Sequence, residues 1–180
     1  MSALSEELLG GPVLPWQVLL LRLGGAAALC GLVGLEREVR GRAAGLRTHI
    51  LVGLASAVYT LIMVDLVSRA DRYPDIARVD PIRIVEAVTG GVAFLAAGLI
   101  VFTGDKVRGL TTGAGLWLSA AVGLSAGLGL WPLAGLSTLL ALVVMHLLAR
   151  AERRAGGGAS GHREHPGARD AGEDDDAHRR

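Results

Sequence analysis

The sequence predicts an all-α fold, a polytopic membrane bundle of about five transmembrane helices, and three observations carry the prediction. Apolar residues make up 51% of the 180-residue chain and mean hydropathy is +0.46, although the final stretch is strongly polar. Those apolar residues gather in runs long enough to cross a hydrocarbon core of about 30 Å, which takes roughly 20 helical residues. Charged residues fall mainly in the connections between the runs.

Taken in order, residues 1–15 read as an external N-terminal segment, 16–149 as the transmembrane bundle and 150–180 as a disordered cytoplasmic tail. The first segment carries Glu6 and Glu7 but no Lys or Arg, so it lacks the basic start of a cleaved signal peptide. The first span is expected over 16–35, with Pro15 suited to a first helical position and Trp16 to a membrane interface. A charged connection with Arg37, Arg40 and Arg42 ends in the turn-prone Ala44-Gly45 and leads to a second span over 47–67. A polar loop follows. Asp80-Pro81, an N-cap and a first-turn proline, then opens a third span over 84–102. A short charged turn precedes the run from Leu110 to Leu148, in which His146 is the one ionisable residue. As a single helix that run would extend roughly 58 Å, so it must break, and Gly127-Leu-Gly-Leu-Trp-Pro132 is the place. The result is a fourth span over 111–128 and a fifth over 132–149.

The tail has nothing apolar to bury and reads as disordered. His162, His165 and His178, beside Asp174, Asp175 and Asp176, could bind a metal weakly, but their spacing fixes no coordination geometry. Arg37, Arg40, Arg42 and Arg47, then Lys106 and Arg108, then Arg150, Arg153 and Arg154 all fall on one side of a five-span chain. That places the C-terminus in the cytoplasm and the N-terminus outside, in a bacterial inner membrane. Arg69, Arg72, Arg78 and Arg83 on the other side weigh against this, interleaved with Asp65, Asp71, Asp75 and Asp80. Cys30 is the single cysteine and reads as a small packing residue. No basic stripe interleaved with aromatics suggests a nucleic-acid partner.

Two classes of residue are more specific. Thr111, Gly115, Ser119, Gly123 and Gly127 recur every four positions in the fourth span. Thr89, Ala93 and Ala97, flanked by Ala87 and Gly91, do so in the third, and Ala26, Cys30 and Gly34 in the first. Helices in lipid associate by close packing, so such stripes serve either contacts within one bundle or an oligomeric or gating interface. The second class is charge within the spans. Arg22 lies about 9 Å along the helix from Trp16, and a guanidinium there needs a partner or must snorkel. Glu86 and Asp65 are the candidate partners, either as a structural pair or in an ion or proton path. At the opposite face Glu36, Arg37, Arg47, His49, Asp105, Lys106 and Arg108 should form a polar collar.

Gly31-Leu-Val-Gly-Leu-Glu-Arg-Glu38, followed by Ala44-Gly-Leu-Arg-Thr-His49, resembles the first signature of the MgtC/SapB family of bacterial membrane proteins. Asp80-Pro-Ile-Arg83 leading to Gly91-Val-Ala-Phe-Leu-Ala-Ala-Gly98, and Val107-Arg-Gly-Leu-Thr-Thr112 before Trp117, resemble the second and third. The polar residues carrying the likeness are Glu36, Arg37, Glu38, Arg47, Thr48, His49, Asp80, Arg83, Arg108, Thr111 and Thr112. Ala93 and Ala96 stand where the family usually has glycine, and a polar tail stands where virulence-associated members have a soluble C-terminal domain.

The resemblance implies a role in Mg²⁺ homeostasis, or in adaptation to low magnesium and acid stress. It further implies an accessory module acting on other membrane machines, such as the ATP synthase, without pumping ions itself. The alternative is a small oligomeric cation channel or carrier with Asp65, Glu86 and Asp80 as an outer vestibule. Expected partners are therefore the bilayer and a membrane protein or a second copy, with Mg²⁺ as the candidate ion and no cofactor. No phosphate loop, catalytic triad or paired-histidine zinc motif points to an enzyme.

Overall fold

The computed structural model of the chain describes residues 13–69, 80–103 and 106–156. The candidate metal ligands of the tail, Asp105 and most of the polar loop after the second helix lie outside the described residues.

Five helices and one small hairpin make up the described chain. They are α1 (Trp16–Val39), α2 (Leu46–Ser68), α3 (Pro81–Leu99), β1 (Val101–Thr103), β2 (Lys106–Arg108), α4 (Leu110–Leu128) and α5 (Trp131–Gly156). Three of them, α1, α2 and α3, are long and apolar enough to span a bilayer, and Trp131–Leu147 of α5 is a shorter apolar stretch. Glycine, serine and threonine dilute the hydropathy of α4, which is 19 residues long.

Several boundaries are set by local chemistry. α1 continues past residue 35 through Glu36-Arg-Glu-Val39, where an ion pair between Glu36 and Arg40, one turn apart, supports the extra turn. α3 starts where expected. Asp80 Oδ1 accepts a hydrogen bond from the Ile82 amide at 3.0 Å, and Pro81 occupies the first turn. The charged turn after α3 is an antiparallel hairpin, with Val101 paired to Arg108, Phe102 to Val107 and Thr103 to Lys106. The β-branched and aromatic residues at its start end α3 at Leu99, three residues before the expected limit of the span. Gly109, at φ +92°, carries the chain from β2 into α4.

The break in the long apolar run is a Schellman turn. The Leu130 amide donates to the Ser125 carbonyl at 2.8 Å and the Gly129 amide to Ala126 at 2.9 Å, with Gly129 at φ +79°. Trp131 and Pro132 then begin α5.

Two compact units divide the chain, Met1–Met145 and His146–Arg180. Within the first, α2 packs on α1 and α4, and α4 also touches α1 and α3, so α4 is central. The interior is built from small side chains: Ala26, Cys30, Ala57, Val122, Ala126 and Ala134 in one cluster, and Ala44, Val52, Val88, Val92, Leu116 and Ala120 in another. Leu20, Leu51, Ile62, Phe94, Leu139 and Leu140 stand at the surface instead. Large apolar groups outside and small ones inside suit a chain surrounded by lipid, where tight backbone contact holds helices together.

Candidate functional site in the buried seam of α4

Gly115, Ser119, Gly123 and Gly127 are all buried. They lie against His49, Gly53, Ala57 and Thr60 of α2, which follow a near-matching spacing. A Cβ at Gly123 would collide with the Gly53 carbonyl, and one at Gly127 would fall 2.8 Å from Thr60 Cβ and 2.9 Å from the Ala57 carbonyl. A Cβ at Gly53 would in turn strike Cys30 of α1. The α2 and α4 backbones therefore meet at Gly53 and Gly123 with no side chain between them, and the Cys30 side chain of α1 fills the space on the other side of Gly53. Cys30 Sγ donates to the Ser119 carbonyl at 3.3 Å, fixing α1 to α4.

Thr111, the first residue of the expected stripe, is exposed, whereas its neighbour Thr112 is buried. A spacing of four advances about 40° around a helix at each step, so the stripe has rotated away by its far end. The hydroxyls inside the seam are used locally: Ser56 donates to Val52 O at 2.9 Å and Thr60 to Ser56 O at 2.8 Å. Ser119 Oγ has no hydrogen-bond partner among the described residues.

At one end of the seam α1 turns into α2. Gly34 permits the turn, because a Cβ there would lie 2.8 Å from Leu46 Cα. Glu38 Oε2 accepts the Leu46 amide at 2.9 Å and so caps α2 from the preceding helix. A Cβ at Gly45 would strike that carboxylate. Arg37, only 6% exposed, lies 3.2 Å from Glu36 Oε2, and its Nε donates to Met145 Sδ of α5 at 3.3 Å. The oxygens of Glu36 lie at ion-pair distance from Arg37 and Arg40 without aligned hydrogen bonds. Such a shielded carboxylate is tolerated because two guanidinium groups offset its desolvation.

His49 has no solvent exposure. Its Nδ1 lies 2.8 Å from the Gly45 carbonyl, and donation there leaves the lone pair of the neutral ring on Nε2. Nε2 has no hydrogen-bond partner among the described residues, and a Cβ at Gly115 would sit 3.2 Å from it. A buried, unsatisfied ring nitrogen beside a glycine is the most chemically distinctive feature of the seam.

At the other end, Arg22 has a partner that the sequence did not suggest. Its Nη1 donates to the Gly127 carbonyl at 2.7 Å, and a Cβ at Gly129 would lie 3.0 Å from Nη2. The guanidinium thus caps the C-terminus of α4, where free carbonyls and the helix dipole favour a cation. The expected pairing of Arg22 with Asp65 or Glu86 is corrected accordingly. Asp65 binds Arg69 one turn later at 2.8 Å and accepts the Val13 amide at 3.0 Å. Glu86 is exposed on α3. The signal available was Arg22 at the depth of the Gly127–Pro132 break, where carbonyls need donors.

A family model of the MgtC family matches residues 23–154. The chain belongs to the MgtC family. Among its relatives, "Putative magnesium transporter YhiD" of Escherichia coli (strain K12) is 40% identical over 136 residues, covering 72% of this chain and 61% of the relative. "Protein MgtC" of Brucella abortus (strain 2308) is 41% identical over 126 residues, covering 70% and 49%. "Protein MgtC" of Salmonella typhimurium (strain 14028s / SGSC 2262) is 40% identical over 135 residues, covering 75% and 54%. The chain thus spans about half to three-fifths of the length of these curated relatives. No solved structure matches it.

In this member of the MgtC family the signature residues separate into two groups. Gly34, Glu36, Arg37, Glu38, Gly45 and His49 form the α1–α2 corner, with Thr112 buried in α4. Arg47, Thr48, Arg83, Arg108 and Thr111 are exposed, and Asp80 caps α3. The small residues of α3 also face outward: Ala87, Gly91, Ala93 and Ala97 are exposed and Thr89 is half-buried. Among the described residues no three His, Cys, Asp or Glu side chains come together as a metal cage.

Proposed function

We propose that this membrane protein serves Mg²⁺ homeostasis, or adaptation to scarce magnesium and acid stress, as an accessory module that docks on other membrane proteins. Membership of the MgtC family is the observation that carries the magnesium assignment, with the printed names of the relatives in support. The interior favours the accessory role. The small-residue stripe of α4 is occupied by α2, backbone against backbone, which leaves little room for a hydrated cation along that contact. Mg²⁺ sheds its water reluctantly and needs hard oxygen ligands. Docking must then use a surface other than the α4 stripe.

Conduction is the second reading, favoured by the magnesium-transporter name of one relative. Purified protein in liposomes loaded with a Mg²⁺ indicator separates the two. The accessory role predicts flux equal to that of empty liposomes, together with rescue of growth at low Mg²⁺ in a strain lacking its own family member. Flux above background would overturn it.

The proposed orientation is N-terminus outside and C-terminus in the cytoplasm of a bacterial inner membrane, from the basic residues beside the α1–α2 corner and the hairpin. Reporter fusions after Arg42, Lys106 and Arg154 should read cytoplasmic, and fusions near Asp75 external. An external signal after Arg154 would invert or break the five-span arrangement.

A further inference from the structure

We infer that the outward face of α3 is a self-association surface on which a second copy of this chain docks, its α3 running parallel to the first. Of the three helices most clearly fit to span, α3 is the least covered: 11% of its apolar stretch is buried, against 22% for α1 and 28% for α2. Its packed side is marked by Val88 and Val92. At about 100° per residue, Arg83, Glu86, Gly90, Phe94 and Ala97 fall on the opposite side, and all five are exposed.

Much of a bare helix face is satisfied by lipid, but this one carries a carboxylate that is not, and beside it a glycine that lets another helix approach closely. Glu86 lies about 8 Å into the helix from Pro81, where a carboxylate facing hydrocarbon is costly. Gly90 offers naked backbone, with no described atom within 4 Å of where a Cβ would be. A second α3 supplies a counter-charge for the carboxylate and a backbone that can pack on the glycine. Two copies inserted the same way are related by an axis along the membrane normal, so the same patch meets itself and every contact occurs twice. Arg83 and Glu86 are three residues apart, an axial offset of about 4.5 Å that an arginine side chain spans, so each copy's Arg83 reaches the other's Glu86. Neither residue makes an ion pair with another described residue. This complementarity of one face with itself selects a second copy over an unrelated protein. An anionic lipid headgroup would suit Arg83 but be repelled by Glu86.

The test is disulfide crosslinking of the full chain in native membranes. Cys30 is buried, so the parent protein is the background control. Ala97→Cys should give a band of twice the chain mass, and Leu139→Cys, exposed on α5, should not. Adding Glu86→Arg or Arg83→Glu to the Ala97→Cys chain should abolish the band, and the two reversals together should restore it. Because these side chains are exposed, each variant should keep the parent's melting temperature in detergent, and the double reversal reports even if a single change perturbs folding. The inference is overturned by equal crosslinking at Leu139→Cys, by an adduct of another mass, by monomer alone, or by a band that the charge reversals leave unchanged or fail to restore.

Discussion

The α2–α4 contact and the outward face of α3 are made from the same residue types and are used in opposite ways. Both carry small residues at helical spacing. At Gly123 an added Cβ would collide with the Gly53 carbonyl, whereas at Gly90 and Gly91 it would meet nothing within 4 Å. Composition alone therefore does not say whether a glycine stripe is a closed joint or an open surface. What distinguishes them is the partner: α2 presents its own small-residue row, His49, Gly53, Ala57 and Thr60, opposite the α4 stripe. No described element presents such a row to α3.

The sharpest way to break this comparison is Gly123→Leu. The new side chain has nowhere to go between two backbones, and overpacking of this kind costs about 1–3 kcal/mol or more. The expected outcome is a large fall in melting temperature in detergent, or failure to accumulate in the membrane. Ala121→Leu, on the exposed side of the same helix, should change neither. A Gly123→Leu protein as stable as the parent would mean that α2 and α4 do not touch there.

Next in size is Arg22→Leu, which removes the donor from the Gly127 carbonyl. Hydrogen bonds involving charged groups contribute about 1.5–3 kcal/mol, and the stranded carbonyl lies at a partly buried helix end. Glu86→Leu should not rescue it, since the two residues share no contact, and the two changes should combine additively. Recovery of stability in the double variant would restore the Arg22–Glu86 pair and remove the cap.

How far the sequence foretold these features follows from the range of the interactions. Helix positions, the Asp80-Pro81 start and the break near Gly129 were legible because hydropathy, capping and turn chemistry act within a few residues. The burial of Gly115, Ser119, Gly123 and Gly127 was legible as a packing face but not as to its partner, because spacing on one helix carries no information about which helix lies opposite. Arg22 shows the limit most clearly. A charge in a span calls for a counter-charge, and acids at similar depth were the natural candidates, yet a backbone carbonyl 105 residues away took the role. Cys30 and Met145 escaped notice as polar contacts for a related reason. Sulfur makes weak hydrogen bonds, so their donation to Ser119 O and acceptance from Arg37 become visible only once three helices are placed.

The capping residues give a smaller, paired test at the two ends being compared. Glu38→Ala deprives the Leu46 amide of its acceptor in the packed corner, and Asp80→Ala does the same to Ile82 at the exposed start of α3. Loss of a cap costs about 0.5–2 kcal/mol. Glu38→Ala should be the more damaging, since the same carboxylate also fills the space beside Gly45. Equal effects, measured by thermal melting in one detergent, would mean that the corner is no more tightly built than the start of α3.

The smallest expected effect is also the most direct challenge to the contrast. Gly90→Leu places a side chain as large as that of Gly123→Leu in the interior of a helix of the same 19-residue length, so side-chain volume and helix length are matched. On α3 that side chain enters open space. Replacing glycine in a helix interior gains about 0.8–1 kcal/mol from backbone propensity, with no clash to oppose it. Monomeric protein in detergent should therefore melt at the parent's temperature or slightly above, while the crosslinked band of the Ala97→Cys chain is lost in membranes because the two α3 backbones can no longer approach. A marked fall in the melting temperature of the monomer would show that this face is covered within one chain, and the distinction between the closed seam and the open surface would fail.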